Sequence, residues 1–246
     1  MSERIEALPW DSEFFDLSIG RVELDGATDA DLTAIETEAY DRGFDCVYGS
    51  LVTSDDVTNV GIRIQSHDFL LSDLSTMLDR PAIPITRVPT SAVARAATED
   101  DLATIVETVI PIIAPWSRFA ADPRFGLEAS TRMWIAEVKR GLRDDHRLIT
   151  ITEDDIGITG FSTQSSPGEF GLPGYESVTA TKPGSGAAHA LIHYFLDWVN
   201  ASETKTTAGW MAVRNIPPSR ALEKHGYMLT RSRGSYHWWR EGSSYA

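Results

Sequence analysis

The stretch Glu176-Ser-Val-Thr-Ala-Thr-Lys-Pro-Gly-Ser-Gly-Ala-Ala-His189 joins a β-branched run to an apolar run. Residues 175–181 favour a strand, residues 183–186 must turn, and helical spacing begins at Ala187. The first turn of a helix has backbone N–H groups without partners inside the helix, and the helix dipole adds about half a positive charge there. The sequence therefore predicts a strand, a turn and a helix whose N-terminus binds an anion such as phosphate.

The spacing of this turn excludes two common phosphate-binding loops. In a P-loop the lysine directly follows the last glycine, whereas Lys182 precedes the glycines here. The dinucleotide-binding fingerprint has a third small residue where this chain has His189. The interpretation that competes with a binding loop is a plain glycine-containing turn. Small residues that would let a pyrophosphate approach the backbone are Gly184, Gly186, Ala187 and Ala188.

The turn resembles the acetyl-CoA loop of the GCN5-related N-acetyltransferases (GNATs), whose pattern is Val-x-Pro-x-x-Gln/Arg-x-x-Gly-x-Gly/Ala. Val178, Ala180, Pro183, Gly186 and Ala188 fall in that register. Ala180 stands where proline is usual, and Pro183 stands where Gln or Arg is usual. The family's loop binds chiefly through backbone N–H groups, so the resemblance still implies acetyl-CoA, although Pro183 has no N–H to donate. The implied cofactor-binding residues are Val178, Thr179, Ala180, Lys182, Gly184, Ser185, Gly186, Ala187, Ala188 and Asn215.

A second segment resembles the last motif of the same family, an asparagine followed eleven residues later by glycine and an aromatic residue. Here these are Asn215, Gly226 and Tyr227. The resemblance implies that Asn215 exchanges amide hydrogen bonds with the pantetheine arm. The family often has a tyrosine seven residues after the asparagine, which protonates the departing thiolate, and this chain has Leu222 there. Ser219, a water molecule or no acid at all must replace it.

The resemblance implies direct attack of an amine on the thioester, so a group must take the amine's proton. Glu176 and Asp122 are the candidates for that role, and each is also open to being an ordinary solvated carboxylate. A backbone N–H at Thr179 or Ala180 would hold the thioester oxygen. Lys182 would pair with a phosphate of CoA, or is simply an exposed lysine.

Over its whole length the chain resembles the GNAT branch that acetylates nucleotide-linked amino sugars. The similar segments are Leu8-Pro-Trp-Asp-Ser-Glu-Phe-Phe-Asp-Leu-Ser-Ile-Gly20, Ser117-Arg-Phe119, Gly184-x-Gly186-Ala187 and Tyr236-x-Trp238. In that setting Arg118 would clamp a nucleotide diphosphate and Trp116 would stack on its base, unless Trp116 and Phe119 belong to the core. The alternatives are another small amine or a protein N-terminus as acceptor, and a non-catalytic acyl-CoA-binding module.

Two domains are expected. Residues 1–80 alternate strands and helices, residues 81–91 form a proline-rich linker, and residues 92–246 carry both GNAT-like segments. The first part contains a predicted strand over 15–24 and a helix over 27–42 opened by Thr28 or Asp29. The predicted fold class is α/β (α+β), with a mixed, mostly antiparallel sheet flanked by helices, preceded by a smaller N-terminal α/β domain.

Composition narrows the classes of function. The net charge of −14 over 246 residues argues against a general nucleic-acid binder, which would need a basic face. Cys46 is the only cysteine, which excludes a disulfide framework within the chain and a thiolate metal cluster. His189 and His193 share a helical spacing of four, but the sequence shows no third ligand nearby, so no metal is predicted. We expect a cytoplasmic protein that binds no membrane, acts on a small-molecule amine and is compatible with a homodimer.

Overall fold

The computed structural model describes residues 3–52, 57–80, 87–166, 172–182, 184–201 and 206–243. Contacts divide the chain into two compact units. The first comprises Met1–Ser75, Pro115–Met133 and Arg231–Ala246, and the second comprises Thr76–Ala114 and Trp134–Thr230. The predicted boundary at 81–91 stays a prediction, and residues 81–86 of that segment lie outside the described residues.

Strands and helices alternate along the described chain. The strands are β1 (Glu6–Ala7), β2 (Ile19–Glu23), β3 (Cys46–Val52), β4 (Leu70–Arg80), β5 (Ala94–Ala96), β6 (Arg147–Asp154), β7 (Gly157–Ser165), β8 (Gly174–Ala180), β9 (Thr207–Ala212) and β10 (Met228–Trp239). The α-helices are α1 (Pro9–Phe15), α2 (Asp29–Arg42), α3 (Val57–Ser66), α4 (Leu102–Thr108), α5 (Ile110–Ile113), α6 (Arg118–Ala121), α7 (Gly126–Gly141), α8 (Ala187–Asn200) and α9 (Ile216–Lys224). None of these helices is both long enough and apolar enough to cross a membrane.

The strands form two sheets that are mostly antiparallel. One has the order β1-β2-β3-β10-β4-β9, and the other has the order β5-β6-β7-β8. β2 runs parallel to β3, whereas β1 with β2, β3 with β10 and the whole second sheet are antiparallel. The predicted fold class, a mixed and mostly antiparallel sheet structure with helices, is confirmed.

Local sequence rules account for the ends of α2. The Thr28 hydroxyl accepts from the Asp31 N–H at 3.2 Å, and the Asp31 carboxylate accepts in return from the Thr28 N–H at 3.1 Å. This reciprocal cap satisfies two donors that the helix itself leaves without partners. Gly43 ends the helix with φ at +79°, a conformation that costs glycine little. The helix predicted over 27–42 with Thr28 as a candidate cap is confirmed.

The strand predicted over residues 15–24 is wrong in its first part. Phe15 is instead the last residue of a short helix. That helix begins at Pro9, because the fixed φ of proline suits a first helical turn. Asp16 ends that helix in the left-handed region with φ at +53°. The strand itself is confined to β2, Ile19–Glu23.

The core of the first unit includes a layer of aromatic side chains on β3 and β10. Cys46, Tyr48 and Trp239 are buried there with Phe119 and Phe125. The Cys46 thiol lies inside this layer, and burial raises its pKa well above the usual value. Cys46 is therefore a buried small residue, as its place in a strand-like run predicted.

The core of the second unit lies beneath α8. Leu191 and Phe195 on that helix pack in one cluster with Val178 of β8 and Leu222 of α9. Gly160 of β7 permits the helix to approach, since a Cβ there would lie 2.8 Å from the Ala187 Cβ. The packing places the N-terminus of α8 next to the end of β8.

Candidate functional site

Strand β8 forms one edge of the second sheet, and its pairing with β7 shifts at Glu176. Tyr175 is opposite Gln164 and Ser177 is opposite Thr163, so Glu176 has no residue opposite it. An extra residue of this kind is a β-bulge, which bends the strand and increases its twist. β8 therefore changes direction just before Val178, the first residue of the predicted acetyl-CoA segment.

β8 and β9 approach each other closely at their first residues. The Ala208 N–H donates to the Pro173 carbonyl at 3.1 Å. A Cβ on Gly174 would lie 1.9 Å from the Ala208 carbonyl oxygen, so only glycine fits there. The two strands nevertheless belong to different sheets. Within the described residues, β8 thus has no ladder on the side towards β9, and its later backbone groups are available to a ligand.

The register of β8 shows which backbone groups point to that open edge. The Asn215 side-chain Nδ2 donates to the Val178 carbonyl at 3.1 Å, from the side away from β7. Because the N–H and C=O of one strand residue point the same way and alternate along the strand, the Val178 and Ala180 N–H groups also point to the open edge. The Thr179 N–H points to β7. Of the two proposed donors for a thioester oxygen, Ala180 has the suitable direction.

The turn between β8 and α8 is held by local hydrogen bonds. The Thr181 hydroxyl donates to the Ile158 carbonyl at 2.6 Å, and the Lys182 ammonium pairs with the Asp154 carboxylate at 2.7 Å. That hydrogen bond raises the Lys182 pKa. Lys182 is therefore engaged by a carboxylate, so pairing with a phosphate would require it to exchange partners. Pro183 lies outside the described residues.

Two glycines bring the chain to the start of α8. Gly184 and Gly186 have φ values of +79° and +78°, and Gly186 is the residue that precedes the helix. Gly186 has no side chain with which to cap the helix, and the Ala187 N–H contacts the Ser185 hydroxyl at a long 3.3 Å. Ala188, in the first turn, adds only a methyl group. The backbone at this end can therefore contact an anion directly.

Glu176 shares an arginine with a second carboxylate. The Arg147 guanidinium pairs with Glu137 at 2.6 Å and with Glu176 at 3.5 Å. Burial raises the Glu176 pKa, and the charge of Arg147 opposes this shift. The side chain keeps 36% of its surface exposed, which limits the shift. A carboxylate with a raised pKa on the bulge of β8 is able to accept a proton.

Helix α9 begins at the predicted asparagine. The Ser219 hydroxyl donates to the Asn215 carbonyl at 3.0 Å, so Ser219 is close to the candidate site through Asn215. Leu222 is 1% exposed and packs in the core with Val178. The position that carries a tyrosine in many GNATs is thus a core position in this chain.

Sequence spacing did not reveal the partner of His189. The His189 Nδ1 lies 3.0 Å from the His225 Nε2, and the His193 ring is 4.9 Å from the His225 ring. His225 directly follows α9, and only packing brings it next to α8. No group of three metal-ligating side chains able to hold an ion is found in the part of the chain that the structure describes.

Three further predicted residues belong to the first unit. Asp122 is fully buried and accepts hydrogen bonds from His237 and Trp239, so the alternative of a solvated carboxylate is wrong for it. The Arg118 guanidinium lies 4.4 Å from the Tyr48 ring centroid. Trp116 is 47% exposed, so it is a surface residue and the alternative that placed it in the core is wrong.

The remaining predicted residues lie together in the second unit. Nine of them lie between the end of β8 and the first turn of α8, and Asn215 contacts the first of them. The set is Val178, Thr179, Ala180, Lys182, Gly184, Ser185, Gly186, Ala187, Ala188 and Asn215, together with Glu176 and Ser219.

No protein-family model matches this sequence, and no curated protein is significantly similar to it. Solved structures are similar in fold. A functionally unknown conserved protein from Staphylococcus epidermidis has a TM-score of 0.65 at 9% identity, over 96% of this chain and 92% of its own.

Two further structures carry the name of a family. A GCN5-related N-acetyltransferase from Sphaerobacter thermophilus has a TM-score of 0.57 at 15% identity, over 87% of this chain and 68% of its own. A tandem GNAT protein from the clavulanic acid biosynthesis pathway has a TM-score of 0.53 at 14% identity, over 92% of this chain and 76% of its own. At these identities the likeness concerns the fold, and the chain has the mixed α/β fold of the GCN5-related N-acetyltransferases.

Proposed function

We propose that the protein is an acetyl-CoA-dependent N-acetyltransferase whose cofactor site lies in the second unit. One observation carries the proposal. The open edge of β8 leads through left-handed Gly184 and Gly186 to the start of α8. Gly186 stands at the N-cap of that helix and has no side chain that could cap it. Such a surface offers hydrogen bonds to an amide-containing chain and a cradle for a pyrophosphate within one continuous stretch.

Different backbone groups of this stretch would bind different parts of acetyl-CoA. The N–H groups from Gly186 to Ala188 would hold the pyrophosphate, and the Val178 and Ala180 N–H groups would pair with the pantetheine amides. Acetyl-CoA supplies an acetyl group activated as a thioester. The Ala180 N–H has the direction to serve either a pantetheine amide or the thioester oxygen, which gains negative charge during attack, but not both at once.

Proton transfer is assigned to side chains next to this edge. Glu176 would take the proton of the attacking amine, because its raised pKa brings it closer to the working pH than an ordinary carboxyl. On the thiol side, Ser219 or water would serve, since Leu222 has no proton to give. A thiol with an ordinary pKa near about 8.5 is a tolerable leaving group without an acid.

The acceptor we propose is the primary amine of a small molecule, with a nucleotide-linked amino sugar as the first choice. Support comes from the sequence resemblance to dTDP-fucosamine acetyltransferase in the four segments given above. The assignment of Arg118 and Trp116 to the nucleotide remains a prediction from the sequence resemblance. Other small amines and protein N-termini are the alternative acceptors.

A non-catalytic acyl-CoA-binding module is the second candidate function. The burial of Leu222 favours it, because that position lacks a proton donor and is occupied by the core. The two candidates share the cofactor site and differ only in whether acetyl transfer follows.

Cofactor binding is tested first with a matched pair of glycine variants. Gly184 and Gly26 both have positive φ, at +79° and +68°, and a Cβ at either would meet open space. Both alanine variants therefore have similar backbone strain of roughly 1–2 kcal/mol. We expect Gly184→Ala to weaken CoA binding in calorimetry about tenfold and Gly26→Ala to leave it unchanged. Equal affinities in both variants would contradict this site.

Catalysis is then tested by mass-resolved transfer from acetyl-CoA to nucleotide amino sugars, polyamines, aminoglycosides and peptide N-termini, with free thiol detected in parallel. A product heavier by one acetyl group supports the enzyme and identifies the acceptor class. CoA binding without transfer to any amine supports the binding module.

A further inference from the structure

Tyr48 and His237 are direct neighbours across β3 and β10 in the first unit. They are opposite each other in the antiparallel register, so their side chains leave the sheet on the same face. Their ring centroids are 5.0 Å apart with the planes tilted by 39°. Phe119 and Phe125 cover this face, with ring centroids 6.0 and 5.6 Å from that of His237.

The hydrogen bonds of Asp122 determine which nitrogen of His237 carries a proton. The Asp122 carboxylate accepts from the Trp239 Nε1–H at 2.8 Å and from the Arg124 backbone N–H at 2.9 Å. Burial opposes ionisation of Asp122, but these donors together with His237 lower its pKa. An ionised carboxylate can only accept, so the His237 Nδ1 donates to it at 2.7 Å. Burial lowers the His237 pKa to about 4, and the Nε2 of the neutral ring therefore presents a lone pair.

Two buried polar atoms on this face have no partner among the described residues. These are the His237 Nε2, an acceptor, and the Tyr48 hydroxyl, which keeps its proton because burial raises its pKa. His237 is fully buried and Tyr48 is 4% exposed. A buried polar group without a hydrogen bond destabilises a fold, and such groups are rare unless a ligand or water pairs with them.

Arg118 adds a positive charge over the rings of Tyr48 and Phe119. Its guanidinium lies 4.4 Å from the Tyr48 ring centroid and 4.9 Å from that of Phe119. Arg118 is partly exposed, and within the described residues it forms no ion pair with a carboxylate. A guanidinium held over aromatic rings keeps its N–H groups for an anion.

We infer that the first unit contains a binding site for a small carboxylate that also carries a hydroxyl or amino group, formed by His237, Tyr48 and Arg118. The ligand's hydroxyl or amine donates to the His237 Nε2, and its carboxylate accepts from Tyr48 and Arg118. Because Phe119 and Phe125 cover this face, the ligand that we infer has only a few heavy atoms. Asp122 is a positioning residue, because it fixes the tautomer of His237. The inference does not depend on the proposed acetyl transfer, and it assigns Arg118 to this carboxylate instead of to a nucleotide.

The test measures binding to the full chain by calorimetry without acetyl-CoA. The probes are glycolate, D- and L-lactate, glycine and L-serine. Propionate lacks the donor group and lactamide lacks the charge, so each removes one half of the recognition. We expect at least one probe to bind, and both comparison compounds to bind at least about tenfold weaker.

Variants distinguish a loss of probe binding at this site from a loss of overall stability. Tyr48→Phe removes only a hydroxyl that has no described partner, so the melting temperature should be unchanged or higher while probe affinity falls about tenfold. Arg118→Met should also weaken the probe, and Tyr40→Phe, an exposed tyrosine of the same unit, is the matched control. Nitrogen-15 NMR of His237 should show a bare Nε2 that shifts when the probe is added.

Two outcomes overturn the inference. The first is that no probe produces binding heat or a shift of the His237 Nε2 signal, as expected if an internal water alone pairs the two atoms. The second is that propionate binds as well as lactate, or that Tyr48→Phe binds the probe as tightly as Tyr40→Phe does.

Discussion

The side chain of Asn215 donates a hydrogen bond to the Val178 carbonyl at 3.1 Å, across 37 residues of sequence. The bond joins the start of α9 to the open edge of β8. The two segments that resemble GNAT motifs therefore meet in space, which neither motif required by itself. The Asn215 side-chain amide is also 3.2 Å from the Met211 sulfur, so two contacts hold this side chain in place.

Asn215→Ala tests this link. The variant leaves the Val178 carbonyl without its partner, and we expect the free energy of unfolding to fall by about 1 kcal/mol. CoA affinity should fall more than stability explains, since the edge of β8 loses its support. Asn200→Ala, at the exposed end of α8, is the control and should change neither quantity. Normal CoA affinity in Asn215→Ala would show that this edge does not bind the cofactor.

Leu222→Tyr tests whether a lost acid can simply be restored. Leu222 is 1% exposed in a packed cluster, so the larger polar ring should overpack the core and lower the free energy of unfolding by about 1–3 kcal/mol. Leu222→Met conserves volume and should lower it by less than about 1.5 kcal/mol. Denaturant titration measures both. A tyrosine variant that is fully stable and transfers acetyl groups faster would overturn the assignment of Leu222 to the core.

Glu176→Gln tests the proposed base. If Glu176 takes the amine's proton, transfer should rise with pH through a pKa above the usual carboxyl range, and Glu176→Gln should slow it by about 10²- to 10⁴-fold and abolish that limb of the profile. Stability should change little, because Arg147 keeps its closer partner Glu137. An unchanged pH profile in Glu176→Gln would make Glu176 only an ion-pair partner.

The lowered pKa values of Asp122 and His237 predict that the folded protein loses stability in acid. The His237 pKa is lowered from 6.5 to about 4 in the folded state, so the unfolded chain binds this proton first. Stability should therefore fall by up to about 3 kcal/mol as the pH drops from 6.5 to 4. Asp122, whose pKa is also lowered, adds a further loss at still lower pH. Denaturant unfolding at several pH values measures the slope.

The control for this slope is a second histidine. His237→Gln should flatten the dependence between pH 6.5 and 4, whereas His146→Gln, at an exposed position, should leave it unchanged. Identical slopes in the two variants would mean that the acid sensitivity arises elsewhere.

Elements with strong local signals were predictable from sequence. The reciprocal cap at Thr28 and Asp31 and the left-handed glycines around residue 185 depend on neighbours within four residues. The short helix at residues 9–15 was missed, because its seven residues, Pro-Trp-Asp-Ser-Glu-Phe-Phe, are too few to show a helical period and only the proline at its start favours a helix. Local preference decides such segments weakly, and packing decides them in the end.

The sequence by itself determined the strand, glycine turn and helix around residues 175–200, because backbone preferences act over a few residues. Tertiary structure alone decided which backbone groups of β8 face an open edge, since that depends on β8 and β9 joining different sheets. It also decided the chemistry of Asp122, which alignment with a motif cannot reveal. Its protonation follows from burial and from donors more than a hundred residues away, His237 and Trp239.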